Sequence, residues 1–170
     1  MPTPKPSPRL ALNTCSDLFG KLQSDFVELK IDYSTYKTFN FVVTAYHLYN
    51  DWINAAGIRI QRQKKHRLPS EARRLFMVWR DITNATKHWK LDSANQSKQV
   101  VEAVSHQQIA DWHAYLIAGP VIYIDVANAR PSLPELADVT MKCFEWLLND
   151  SVDDFPEGLK STLHDVFRPL

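Results

Sequence analysis

Between Pro69 and Leu91 the chain runs PSEARRLFMVWRDITNATKHWKL, and its apolar residues recur at three- and four-residue spacing. At about 100° per residue, Leu75, Trp79, Ile82, Thr86 and Trp89 share one arc, while Arg73, Met77, Arg80, Asn84 and His88 share the opposite one. Such a division predicts a helix that buries one stripe and presents the other to water. Ser70 suits the N-cap and Glu71 the positive end of the helix dipole; Lys87, His88 and Lys90 suit its negative end.

Around this helix the remaining sequence predicts more helix. The first eight residues hold four prolines and are expected to be an extended, mobile leader, with one domain over residues 9–170. Ser7 as N-cap and Pro8 at the first helical position then open a helix with Leu12, Cys15, Phe19, Leu22, Phe26 and Leu29 on one stripe. Ser34 or Thr35 caps a second helix, which runs to about Ala56 and stops at Gly57, a residue suited to a left-handed C-terminal position. Its apolar side chains cover most of the circumference, with Phe39, Val42, Val43, Tyr46 and Ile53 on one side and Phe41, Leu48 and Trp52 on another. A helix of that kind is either central or shared with a partner. IRIQRQKKHRL, which follows, fits a helical continuation or an exposed loop equally well.

After Leu91 the pattern changes. KQVVEAV, WHAYLIAG and PVIYIDVAN are short β-branched or aromatic runs separated by turn signals, which predicts a small antiparallel hairpin or three-stranded sheet. Helix is the competing reading for residues 98–117. Ser132 and Glu135 form a capping box ahead of a stripe of Leu136, Val139, Cys143, Phe144 and Leu147, and GLKSTLHDVF fits a short last helix. The expected fold class is therefore mainly α, an up-and-down helical bundle of four to five helices with a small antiparallel β insertion.

Charge is unevenly placed. Residues 59–90 carry ten basic side chains against Glu71 and Asp81, a net +8, so the other 138 residues carry −7 in a chain of net +1. Arg62, Lys64, Lys65, Arg67, Arg73, Arg74 and Lys87 are candidates for contact with a nucleic-acid backbone; an exposed loop edge of like charges is the competing reading. Cys15 and Cys143 fall on apolar arcs of separate helices, which favours reduced, buried thiols and a cytoplasmic location. No apolar run approaches the roughly 20 residues needed to cross a bilayer, so no membrane partner is expected. With four glycines the chain has no P-loop, dinucleotide fingerprint or nucleophile elbow, and its six histidines and two cysteines lack zinc-ligand spacing. No cofactor and no metal are expected.

Arg80, Asn84 and His88 stand at i, i+4 and i+8, a ladder of three nitrogen-bearing side chains. A plain solvated face accounts for them as well. Their chemistry nonetheless suits a phosphodiester: imidazole moves protons near neutral pH, guanidinium holds a phosphate or its developing charge, and the amide orients either. RNA's 2′-hydroxyl then serves as nucleophile.

An Arg followed one to two turns later by Asn and then His, on a basic helix of a small α-helical protein, resembles the HEPN family. The family motif is Arg, four to six residues, then His, commonly with Asn or another polar residue straight after the Arg. Here seven residues separate Arg80 from His88, Asp81 follows the Arg, and Asn84 stands where the tighter spacing begins. The resemblance covers one helix. It implies a helical protein that pairs through this helix, and a metal-independent endoribonuclease of a bacterial toxin or defence system with Arg80, Asn84 and His88 as catalytic residues. Some family members have no known catalysis. The expected partners are RNA, a second copy in a homodimer, and an antitoxin or other protein; the alternative is a non-enzymatic module that binds an acidic partner or nucleic acid without cleavage.

Overall fold

Thr14 opens the first helix among the described residues. Its hydroxyl accepts from the Asp17 amide at 3.1 Å, and the Asp17 carboxylate accepts from the amides of Asn13 and Thr14, both at 2.9 Å. This reciprocal box satisfies first-turn donors, and helix α1 follows over Cys15–Ile31. The computed structural model describes residues 12–87, 99–106 and 122–169; Ser7 and Pro8 lie outside them, and the described residues 12 and 13 are not helical. Helix α1 buries Cys15, Leu18, Leu22 and Leu29.

Helix α2 starts at Thr35, is α-helical to His47, passes through a π turn over Leu48–Trp52, and ends with Ile53–Ala55. Gly57 ends it by a different device from the expected left-handed one. A Cβ on Gly57 would stand 2.4 Å from the Ile53 carbonyl oxygen, and its φ is not positive, so glycine is required there by close backbone approach. Arg59–His66 forms a separate helix, α3. It is the element that raises the count to six helices among the described residues, beyond the four or five expected.

Helix α4 spans Ser70–Lys87. The Arg73 amide bonds the Pro69 carbonyl at 3.0 Å, so Ser70 is the first helical residue rather than the cap. Leu75 and Trp79 are buried as their arc requires, but so are Phe76, Val78, Asp81 and Thr83. More than one arc is covered because neighbours pack on two sides. From α2, Phe41 meets Trp79 edge-on at 6.0 Å and Tyr49 stacks on Phe76 at 3.9 Å. From α5 (Leu133–Leu148), Thr140 accepts from the Trp79 indole at 2.9 Å. Trp89 lies outside the described residues.

Strands β1 (Val101–His106) and β2 (Ile122–Val126) pair antiparallel, with a bulge between Val101 and Ala103. In β2 burial alternates, with Ile122, Ile124 and Val126 inward. The strand reading thus holds over 101–106; residues 107–121, including all of WHAYLIAG, lie outside the described residues. Helix α5 (Leu133–Leu148) is opened by the expected Ser132–Glu135 box and buries ten residues, including the whole predicted stripe. Helix α6 (Glu157–Val166) closes the chain's ordered sequence of elements, with Leu159 and Leu163 buried. Residues from α1, α2, α4, α5, α6 and both strands join one hydrophobic cluster. The protein is mainly helical with a small two-stranded antiparallel sheet, and no helix among the described residues is long and apolar enough to cross a membrane.

Candidate functional site

The basic segment does not present all its charge to solvent. Lys64 is fully buried: its ammonium donates to the carbonyls of Trp146 at 2.8 Å and Asn149 at 2.7 Å, and stands 5.0 Å over the Trp146 ring. It neutralises the carbonyl-rich end of α5, where a cation is favoured by the helix dipole. Desolvation holds its pKa below the usual lysine value. Such an ammonium is not placed to meet a phosphate.

Lys65 is also used internally. Its ammonium donates to the Tyr49 carbonyl at 2.6 Å and the Asn54 side chain at 3.0 Å, 4.3 Å over the Tyr49 ring. A π turn disturbs the regular i to i+4 ladder and leaves carbonyls to be satisfied by other groups. Lys65 supplies one such group and the Asn54 amide, on the Asn50 carbonyl at 2.5 Å, another. Two consecutive lysines thus hold α3 between the end of α5 and the bulged part of α2.

Of the other basic candidates, Arg62, Arg67 and Arg73 are exposed. Arg67 stands 3.6 Å from Asp154, and Arg73 donates to the His66 carbonyl at 2.8 Å. Arg74 is half-buried, donating to the Val126 carbonyl at 2.9 Å and lying over the Phe167 ring. Lys87 ends α4, and its side chain lies outside the described residues.

Arg80 sits mid-way along α4. Its Nε and Nη2 donate to Asp81 Oδ1 at 2.9 and 2.7 Å. Asp81, only 6% exposed, uses its other oxygen to accept from the amides of Val100 at 2.5 Å and Val101 at 3.2 Å. One buried carboxylate therefore ties α4 to the start of β1 and orients the guanidinium. Asn84 is half-buried one turn further on. His88 lies outside the described residues. A cavity of about 240 Å³ adjoins Asp81, walled mainly by Phe39, Ile82, Ala85, Val101 and Val104.

Helix α2 carries a second polar group. His47 Nδ1 lies 2.5 Å from Asp51 Oδ2 one turn along the helix, and Asn50 donates to Asp51 Oδ1 at 2.6 Å. Tyr46 adjoins His47, ring centroid to centroid 5.6 Å. Burial raises the Tyr46 phenol's pKa, the charge of Asp51 adds to the rise, and the Arg80 guanidinium opposes it. Tyr46 is thus the member of this turn that senses a charge of α4, while His47 and Asp51 pair within α2. The sequence carried one signal for the pair, a His and an Asp at i and i+4, inside a helix whose aromatic content drew attention to its core role.

The Arg80 guanidinium, so oriented, has the chemistry to hold an anion. Among the described residues no three His, Cys, Asp or Glu side chains gather where a metal ion could be held. No family model, curated protein or solved structure matches this chain, so its own geometry carries the functional reading.

Proposed function

We propose that this protein acts on RNA as a HEPN-like, metal-independent endoribonuclease of a bacterial toxin or defence system. The observation that supports the reading is the Arg80 guanidinium, oriented by the buried carboxylate of Asp81. In this reading Arg80 holds the scissile phosphate and stabilises its developing charge, Asn84 orients it, and His88 moves a proton. The 2′-oxygen attacks phosphorus and the bond to the 5′-oxygen breaks. The products are a 2′,3′-cyclic phosphate and a 5′-hydroxyl.

Arg62, Arg67 and Arg73, exposed on α3, its following turn and α4, are the expected backbone contacts that suit RNA, and Lys87 extends the same reading. A homodimer and an antitoxin or other protein partner belong to the same proposal. The test is incubation of the purified protein with a mixed RNA pool in the presence of EDTA. Cleavage that disappears in Arg80→Ala and His88→Ala supports the reading; no cleavage of any RNA sinks it. Sedimentation at tens of micromolar tests the pairing, with a strict monomer counting against it.

The second reading is a non-enzymatic module that binds an acidic partner in the cytoplasm. What favours it is the internal use of Lys64 and Lys65, which narrows the exposed basic surface to the few arginines that a protein partner needs. Charge reversal at Arg62 and Arg67 that abolishes partner capture while wild type leaves RNA intact would select it.

A further inference from the structure

Helix α1 buries Cys15, Leu18, Leu22 and Leu29 on one side. At about 100° per residue, Ser16, Gly20, Gln23, Ser24, Val27 and Ile31 share the opposite side, and all six are exposed. A surface helix ordinarily turns charged side chains to water. This face carries none, and Val27 and Ile31 on it are 61% and 69% exposed.

Gly20 sits mid-helix, where glycine costs stability relative to alanine. A Cβ added there would meet no atom within 4 Å, so nothing in the packing of the described residues calls for glycine at that position. What its missing side chain does provide is a shallow hollow on the outer face, with the short side chains of Ser16 and Ser24 one turn away on either side.

Small and large residues divide this face by halves. Ser16 and Gly20 lie toward its start, Val27 and Ile31 toward its end, and Gln23 and Ser24 between them. A two-fold interface requires that where residue i meets residue j, j also meets i. Antiparallel contact about the midpoint between Gln23 and Ser24 meets that condition: Val27 of each copy enters the hollow at Gly20 of the other, and Ile31 covers Ser16. The same operation brings the acidic first turn, with Asp17, level with the basic last turn, with Lys30, and sets the two helix dipoles head to tail. Glu28, the other carboxylate near that level, is held by Lys37 at 3.7 Å. The apolar arc of α4, by contrast, is covered within the chain, by Phe41 and Thr140 at Trp79 and by Tyr49 at Phe76.

We propose that a second copy of this chain docks antiparallel on the outer face of α1, with Val27 seated at Gly20. This rests on the homodimer of the reading above and not on RNA cleavage. A contact one helix face in size, about 25 Å by about 10 Å, buries less than the about 1,200 Å² at which stable interfaces begin. The pair is therefore weak and concentration-dependent.

Sedimentation of the full chain across tens to hundreds of micromolar is the test, and the wild type should shift toward dimer. Gly20→Leu should weaken pairing at least about tenfold, because it fills the hollow, while raising Tm, because it removes a helix-interior glycine. Val27→Lys should weaken pairing without the gain in Tm. Val152→Lys, at another exposed apolar residue, should pair as the wild type does. Oxidation of cysteine variants reads the direction, since the natural Cys15 and Cys143 are buried. Ser16→Cys mixed with Ile31→Cys should form the mixed disulfide in preference to either self-disulfide. A dimer that Gly20→Leu and Val27→Lys leave intact overturns this inference and leaves pairing through another surface standing. Preferential self-linking of Ser16→Cys overturns the antiparallel arrangement. A wild type that stays monomeric throughout overturns this inference together with the homodimer itself.

Discussion

Lys64 shows how one residue's role turns on where its ammonium ends. In the sequence it is one of a run of cations; in the fold it is fully buried between Trp146 and Asn149, donating to two carbonyls. Replacing it by Met keeps the packing volume but leaves those carbonyls unpartnered, and should destabilise the protein by about 2 kcal/mol. Urea unfolding with an unchanged m-value is the measurement, and a Met variant as stable as wild type would mean the ammonium contributes nothing there. Thr83 is the converse. Its hydroxyl is buried in α4 without a hydrogen-bond partner among the described residues, so the isosteric Thr83→Val should raise stability by about 1 kcal/mol. A thermal melt that moves downward contradicts this.

Among the elements, the turn after β2 carries a visible strain. Val126 and Ala129 exchange backbone bonds of 2.9 and 3.0 Å around Ala127 and Asn128, and Ala127 has φ of 50°. A positive φ at the first central position is the type II′ pattern, which favours glycine because a Cβ there crowds the backbone. Ala127→Gly should therefore be neutral to stabilising by up to about 1 kcal/mol, despite the entropy glycine adds to the unfolded chain. Loss of stability in calorimetry would show that the Ala127 methyl group matters more than its backbone. Helix α3 illustrates a different rule: eight residues are too few for an isolated helix to persist in water, and this one is held at both sides by its lysines.

At the scale of the whole molecule, the buried thiol of Cys143 links stability to pH. Burial pushes its pKa up from 9.0 to about 12. In the unfolded chain the thiol ionises near 9.0, so between those values the unfolded state holds fewer protons than the folded one. Stability then falls as pH rises through 9 toward 12, by up to about 1.4 kcal/mol per pH unit from this group. Lys64 acts in the opposite sense, since its lowered pKa makes the folded state gain stability as pH rises toward 10.5. The comparison of wild type with Cys143→Ala isolates the thiol. The variant should be less stable at pH 7, because it leaves a cavity, and should lose less stability between pH 9 and 11. Parallel alkaline slopes for the two proteins would contradict a suppressed ionisation.

Local chemistry was legible in the residues themselves. The Ser132–Glu135 box, the stripe of α5, the helical period of α4 and the alternation of β2 are each set by side chains within a few positions of one another, so spacing alone determined them. The expected grouping of Arg80, Asn84 and His88 also concerned one helix; the structure describes how Arg80 is held, and His88 lies outside the described residues. What only the tertiary structure decided are contacts between residues far apart in the chain. Lys64 reaches Asn149, and Asp81 reaches Val101. A charged side chain looks the same in sequence whether it faces water or caps a helix end 85 residues away. Its desolvation and its partners, which fix whether it binds a ligand or a carbonyl, exist only once the helices have packed.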